Sequence, residues 1–156
     1  MTRLKGGSYM DDRYYATNKT LFIKSESDWR SRICEFDKTF SINQNHFSII
    51  KDSCNNNRTS YENMIKVSEK LINKHYKMPV YLDEERKNLF FPTKSYSSSS
   101  CYWISYQNLV SFIKKGNGTI LIFKDNIKFK VPVSYNIINN QFSRCLCMEN
   151  ISKLNG

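Results

Sequence analysis

An α+β domain of antiparallel hairpins and about three helices is what this 156-residue sequence predicts, and three observations carry the prediction. Residues 61–77 repeat apolar positions every three or four residues, the period of one helix face. Residues 119–123 and 127–131 are short apolar runs around Lys124-Asp125-Asn126, and Ile127, Phe129 and Val131 alternate with Lys128 and Lys130 as in a strand with one wet face. Helical and strand-like stretches then follow one another irregularly, without the strand–helix–strand rhythm of a parallel sheet. A domain of this length buries roughly two-thirds of its unfolded surface, enough for one core without a disulfide or metal staple. The expected organisation is a flexible segment over 1–18, a single domain over 19–151 and a short end over 152–156.

In chain order, residues 20–24, 32–36 and 39–42 read as short strands around a polar turn at 25–30. Asn55, Asn56 and Asn57 read as a turn, because asparagine prefers turns and left-handed backbone to element interiors. Ser60 caps the helix that Met78-Pro79 ends, since proline removes a donor and pushes its predecessor out of the helical region. Val80–Leu82 and Leu89–Phe91 form a hairpin around the polar 83–88 segment, closed by Pro92. Ser97–Ser100 is a flexible loop, and order resumes at Trp103. Ser105 is placed as the cap of a second helix carrying Tyr106, Leu109, Val110 and Ile113, stopped by Gly116 and Gly118. After the 119–131 hairpin and Pro132, Ser134 caps a last helix with Ile138, Phe142, Cys145 and Leu146 on one face and Gln141 and Arg144 at its edge. Trp103, Phe90, Phe91 and Pro92 are read as core and turn residues.

Twenty-four basic against fourteen acidic residues leave a net charge of +10, which suits a polyanion partner. AT-rich codons also inflate Lys, Asn, Ile, Tyr and Phe, so placement has to decide. The charge divides evenly, +5 in residues 1–78 and +5 in 79–156, so a binding surface has to be assembled by folding. Lys66, Lys70, Lys74 and Lys77 fall together on the polar side of the 61–77 helix, either as a solvated face or as a phosphate-contacting stripe. Five irregularly spaced cysteines read as reduced core thiols. His46 and His75 stand apart from the Cys145, Cys147 pair, and the acidic triplet at 83–85 lacks partners, so neither a metal site nor a nuclease is indicated. No apolar run approaches the ~18 residues of a membrane span and the start lacks a secretory core, which points to the cytoplasm.

Several strings add what periodicity cannot. Ser53-Cys54 with Ser60-Tyr61, Leu89-Phe90-Phe91-Pro92-Thr93, Cys101-Tyr102-Trp103-Ile104-Ser105, and Val131-Pro132-Val133-Ser134-Tyr135-Asn136 with Asn140-Gln141 and Arg144 resemble the competence transcription factor (ComK) family in order and spacing over about residues 20–150. The resemblance implies a cytoplasmic DNA-binding activator of competence genes, whose products take up DNA. It implies recognition of paired A-rich and T-rich boxes chiefly through the minor groove, as a homodimer or higher oligomer. RNA polymerase and an adaptor of a Clp protease are the implied protein partners; no catalytic position and no cofactor carry over. Family members continue into a charged and hydrophobic tail past the final helix, whereas this sequence stops at Gly156, so DNA binding is better supported than activation or adaptor capture. A protein-interaction regulator that tunes a full-length relative or its adaptor is the alternative.

Narrow A-tract minor grooves reward inserted arginine, and only 7 of the 24 basic residues are arginine. Arg58, in the Asn-rich turn, is the first candidate for insertion, with Lys66, Lys70 and Lys74 on flanking phosphates. Arg144, Lys128 and Lys130 are second choices, and two boxes one turn apart ask for at least a dimer.

Overall fold

The computed structural model describes residues 13–155. Its elements are β1 (Thr20–Ser27), β2 (Arg30–Glu35), β3 (Thr39–Ile42), α1 (His46–Asn56), α2 (Tyr61–Ile72), β4 (Val80–Tyr81), β5 (Leu89–Pro92), β6 (Tyr102–Ser105), β7 (Leu109–Lys115), β8 (Gly118–Phe123), β9 (Ile127–Val131) and α3 (Tyr135–Asn155). They build an antiparallel six-stranded sheet in the order β3-β2-β1-β6-β5-β4 and an antiparallel three-stranded sheet in the order β7-β8-β9. The α+β class with three helices therefore holds, but two elements differ from expectation.

The stretch after Ser105 is a strand, not a helix. Ser105 Oγ does accept a local bond, from Asn108 N at 3.3 Å, yet it closes a tight turn rather than opening a helix. A register shift at Val110 breaks the alternation of β7, which is why its apolar spacing imitates a helix. The two-residue Gly116-Asn117 turn, with Gly116 at φ +59°, returns the chain into β8 as hairpins of this length favour. Gly118 cannot be replaced freely, because an added Cβ would lie 2.4 Å from the Val131 carbonyl oxygen of β9.

The second difference is α1. Asn45 caps it, its side chain accepting from Phe47 N at 2.8 Å and Ser48 N at 3.3 Å, and Ile49, Ile50, Ser53 and Cys54 bury one face. The asparagine run terminates this helix instead of forming a free turn. α2 is also shorter than its periodicity suggests. Asn73 adopts left-handed backbone and its N–H bonds Glu69 O, stopping the helix five residues before Met78.

Trp103, Tyr81, Phe90 and Phe91 are fully buried, and four of the five cysteines lie in the core as free thiols. The two sheets share this core: Phe22 of β1 meets Phe129 of β9 edge-on at 5.1 Å, and Asn108 Nδ2 bonds the carbonyls of Asn18 and Thr20. Of the segment expected to be flexible, residues 1–12 lie outside the described residues, while 13–18 are held in place. Tyr14 N donates to Gln44 Oε1 at 2.9 Å, Ala16 N to Ser53 Oγ at 2.8 Å, and Arg13 pairs with Asp52. No described helix is long and apolar enough to cross a membrane.

Candidate nucleic-acid interface

The small sheet has one face in the core and one open. Strand register aligns Phe112, Leu121 and Phe129 inward, and places Ser111, Ile122, Lys128 and Ile113, Ile120, Lys130 in two rows on the outer face. Lys114, Lys115, Lys124, Lys128 and Lys130 are all exposed, and Asp125 is the one acidic residue between positions 109 and 131. None of these lysines forms a salt bridge among the described residues. Lys115 and Lys130 flank an open groove of about 430 Å³ with Gly116, Asn117, Gly118, Val131 and Pro132, where no carboxylate competes. Lys128 and Lys130 thus come together on one face as their alternation suggests. Lys115, which shares the side of Ile113, joins them, and sequence reasoning missed it because β7 read as a helix; Lys114 pairs with Thr119 and Val131 on the other side of the sheet, and Lys124 lies on the β8–β9 turn.

The α2 lysines stand differently. Lys66 and Lys70 are exposed on the helix, but Lys74 and Lys77 lie beyond the Asn73 cap, so the four-residue stripe is broken. Lys70 opens onto a cleft of about 980 Å³ between α2, the 84–86 turn and α3, where Glu84, Glu85 and Glu149 sit with Arg86 and Lys153. Lys66 shares a shallower groove with Glu69, whose carboxylate is 3.6 Å from His75 Nδ1.

Arg58 is exposed at the α1–α2 corner with φ +63°, and its N–H bonds Asn55 O at 3.0 Å, so its backbone is fixed while its guanidinium faces solvent. Arg144 is half-buried, and its Nη1 donates to Tyr76 O at 2.6 Å and Lys77 O at 3.3 Å, clamping the 76–77 segment to α3. Gln141, expected at the helix edge, is buried and donates to Lys77 O at 2.8 Å and Pro92 O at 2.6 Å.

The remaining polar chemistry is structural. Burial pushes the Cys54 thiol up to about 12 and raises Cys101 and Cys145, the opposite of what a nucleophilic thiolate needs. Asp83 is buried and accepts Lys87 N and Asn88 N, tying the β4–β5 turn. No group of three or more His, Cys, Asp or Glu side chains among the described residues is arranged to hold a metal ion.

A basic, single-core α+β domain whose open sheet face carries lysines outside any salt bridge is the class these features define. Comparison with known proteins narrows the class. The family model described as ComK protein matches residues 11–153, and the chain belongs to the ComK family. It is 28% identical over 115 residues to the competence transcription factor of Bacillus subtilis (strain 168), covering 73% of this chain and 60% of that relative. No solved structure matches it.

Proposed function

We propose that this protein is a DNA-binding transcriptional regulator of competence genes that recognises paired A-rich and T-rich boxes through the minor groove. Family membership and the relative's name as a competence transcription factor support the regulatory role. The observation that carries DNA contact is the open β7–β9 face, where Lys115, Lys128 and Lys130 are exposed and the groove flanked by Lys115 and Lys130 holds no acidic residue. In this reading Lys115, Lys128 and Lys130 neutralise phosphates, and Lys66, Lys70 and Lys74 add weaker contacts. Arg58 is the arginine offered to a narrow groove, whose negative potential favours a weakly hydrated guanidinium.

Paired boxes require a homodimer or higher oligomer on DNA, and regulation of this kind takes place in the cytoplasm, where RNA polymerase and a Clp protease adaptor are further partners. A protein-interaction regulator that never touches DNA is the competing reading, favoured by the mixed-charge α2–α3 cleft. Mobility-shift titration separates the two. Tighter binding to a duplex bearing both boxes than to a GC-rich duplex of equal length is expected. Equal affinity would remove box recognition, and no binding would leave only the protein-interaction reading.

A further inference from the structure

Two exposed aromatics lie outside the lysine sheet, and three consecutive residues hold both in place. Trp29, 62% exposed, stands on the β1–β2 turn, and Tyr96, 54% exposed, stands on the 94–100 loop. Asn45 Nδ2 donates to Asp28 O at 2.8 Å, next to Trp29, while the same side chain caps α1. His46, buried, contacts Ser98 O at 3.0 Å through Nε2 and accepts Trp103 Nε1–H on Nδ1 at 3.0 Å, so the loop is pinned to the core. Phe47 stacks on Tyr96 with centroids 4.4 Å apart and planes 22° apart, covering one ring face.

The hairpin tip, Asp28-Trp29, is held by hydrogen bonds on both sides although it contains no glycine. Neither Asp28 nor Trp29 has positive φ; within the turn Trp29 N donates to Ser27 Oγ at 3.3 Å, and from outside it Arg30 Nη1 donates to Asn43 Oδ1 at 2.8 Å. A large ring displayed on a braced turn binds without first being ordered, which removes part of the entropic cost of contact. The charges around it say what kind of surface it suits. Asp28 repels phosphate, and Arg30 and Arg32 both bond Glu26, so the tip itself is no phosphate clamp. Cations flank the second ring instead: Lys51 Nζ lies 5.4 Å from the Phe47 centroid, and Lys94 sits at the start of the Tyr96 loop.

Resting on the DNA-binding reading, we propose that Trp29 is a base-step wedge, its indole stacking on the uncharged faces of bases while Tyr96 buttresses the neighbouring sugar or base and Lys51 and Lys94 meet adjacent phosphates. Flexible pyrimidine–purine steps such as TA open at low cost, and AT-rich boxes supply them. β1 links the two surfaces. Phe22 packs against Phe129 of the small sheet, and Trp29 is seven residues further on, about 23 Å along a strand. That path is shorter than one turn of B-DNA, about 34 Å.

The chain contains only two tryptophans, and Trp103 is buried, so DNA-dependent emission reports Trp29. Titrating the full chain with boxed duplex should quench emission and shield it from iodide, whereas Trp29→Phe, carrying only Trp103, should show little iodide quenching with or without DNA. Trp29→Ala should bind boxed duplex about tenfold more weakly, the scale of one lost base–aromatic stack, with Trp29→Phe close to wild type. Unchanged iodide access and unchanged Trp29→Ala affinity, with a normal mobility shift, would overturn the wedge and leave DNA binding standing. Failure of the wild-type chain to shift any duplex would overturn both.

Discussion

The small sheet and helix α2 carry the same side chain, lysine, in opposite electrostatic settings. On β7–β9 the exposed lysines have no carboxylate within salt-bridge distance, and the Lys115–Lys130 groove is free of acids. Lys66 and Lys70 of α2 form no salt bridge among the described residues either, but they open onto grooves that contain Glu69 or the Glu84, Glu85, Glu149 group, while Lys74 lies beyond the helix cap. Opposite charges inside the Debye length of about 8 Å offset one another's field, so equal lysine counts produce unequal attraction for a phosphate chain. Charge per element is thus a poor guide to binding, and the acids that folding brings alongside decide the outcome. The β1–β2 hairpin repeats the lesson, since Arg30 and Arg32 both pair with Glu26.

Substitutions can break this comparison. The largest effect is expected from Lys115, Lys128 and Lys130 changed together to Gln. Losing about three phosphate contacts should weaken boxed and unboxed duplexes alike by roughly a hundredfold at 0.15 M salt, with thermal unfolding unchanged because these side chains are exposed. Equal binding by the folded triple variant would return the sheet to a solvated face.

A smaller but more selective loss is expected for Arg58→Ala: about 1–3 kcal/mol on boxed DNA and much less on scrambled DNA, read as the ratio of the two affinities at fixed salt. A ratio that stays at the wild-type value would make Arg58 a phosphate contact at most.

Changing Lys66, Lys70 and Lys74 to Gln sharpens the comparison from the other side. Only a few-fold loss is expected, because acids already offset that surface. A loss matching that of the sheet triple would show that the neighbouring glutamates do not matter.

The smallest effect concerns stability. Burial holds the His46 pKa below its ordinary value of about 6.5, and its Nδ1 must stay unprotonated to accept the Trp103 N–H. The unfolded chain therefore binds the proton more readily, so this contribution is full above pH 6.5 and is lost as the pH falls through the lower folded value. Urea midpoints should drop between pH 7.5 and 5, and His46→Gln should flatten the part of that drop due to this ring.

The fold class was legible in the sequence, yet the agreement in helix number hides an exchange. Helix α1 went unread because Asn55–Asn57 looked like a turn, whereas asparagines can close a helix that tertiary burial of Ile49, Ile50 and Cys54 stabilises. Strand β7 was read as a helix because the irregularity at Val110 shifts its alternation toward a spacing of three and four. That one error hid Lys115: Lys128 and Lys130 are visible from the clean alternation of β9, but Lys115 acquires a shared surface with them only once β7 pairs with β8. Arg144 shows the converse, a basic residue whose carbonyl partners at 76 and 77 lie 67 or more positions away in sequence and are invisible without the fold.

The salt dependence of wild-type binding to the boxed duplex, measured from 50 to 200 mM beside the Lys115, Lys128, Lys130 triple variant, tests the account most directly. About six phosphate contacts predict a slope of log affinity against log salt near −5 for the wild type, and removing three of them predicts a slope near −3 for the variant. A flat wild-type response, or identical slopes for the two proteins, would contradict the assignment of DNA contact to the unneutralised lysines of the small sheet.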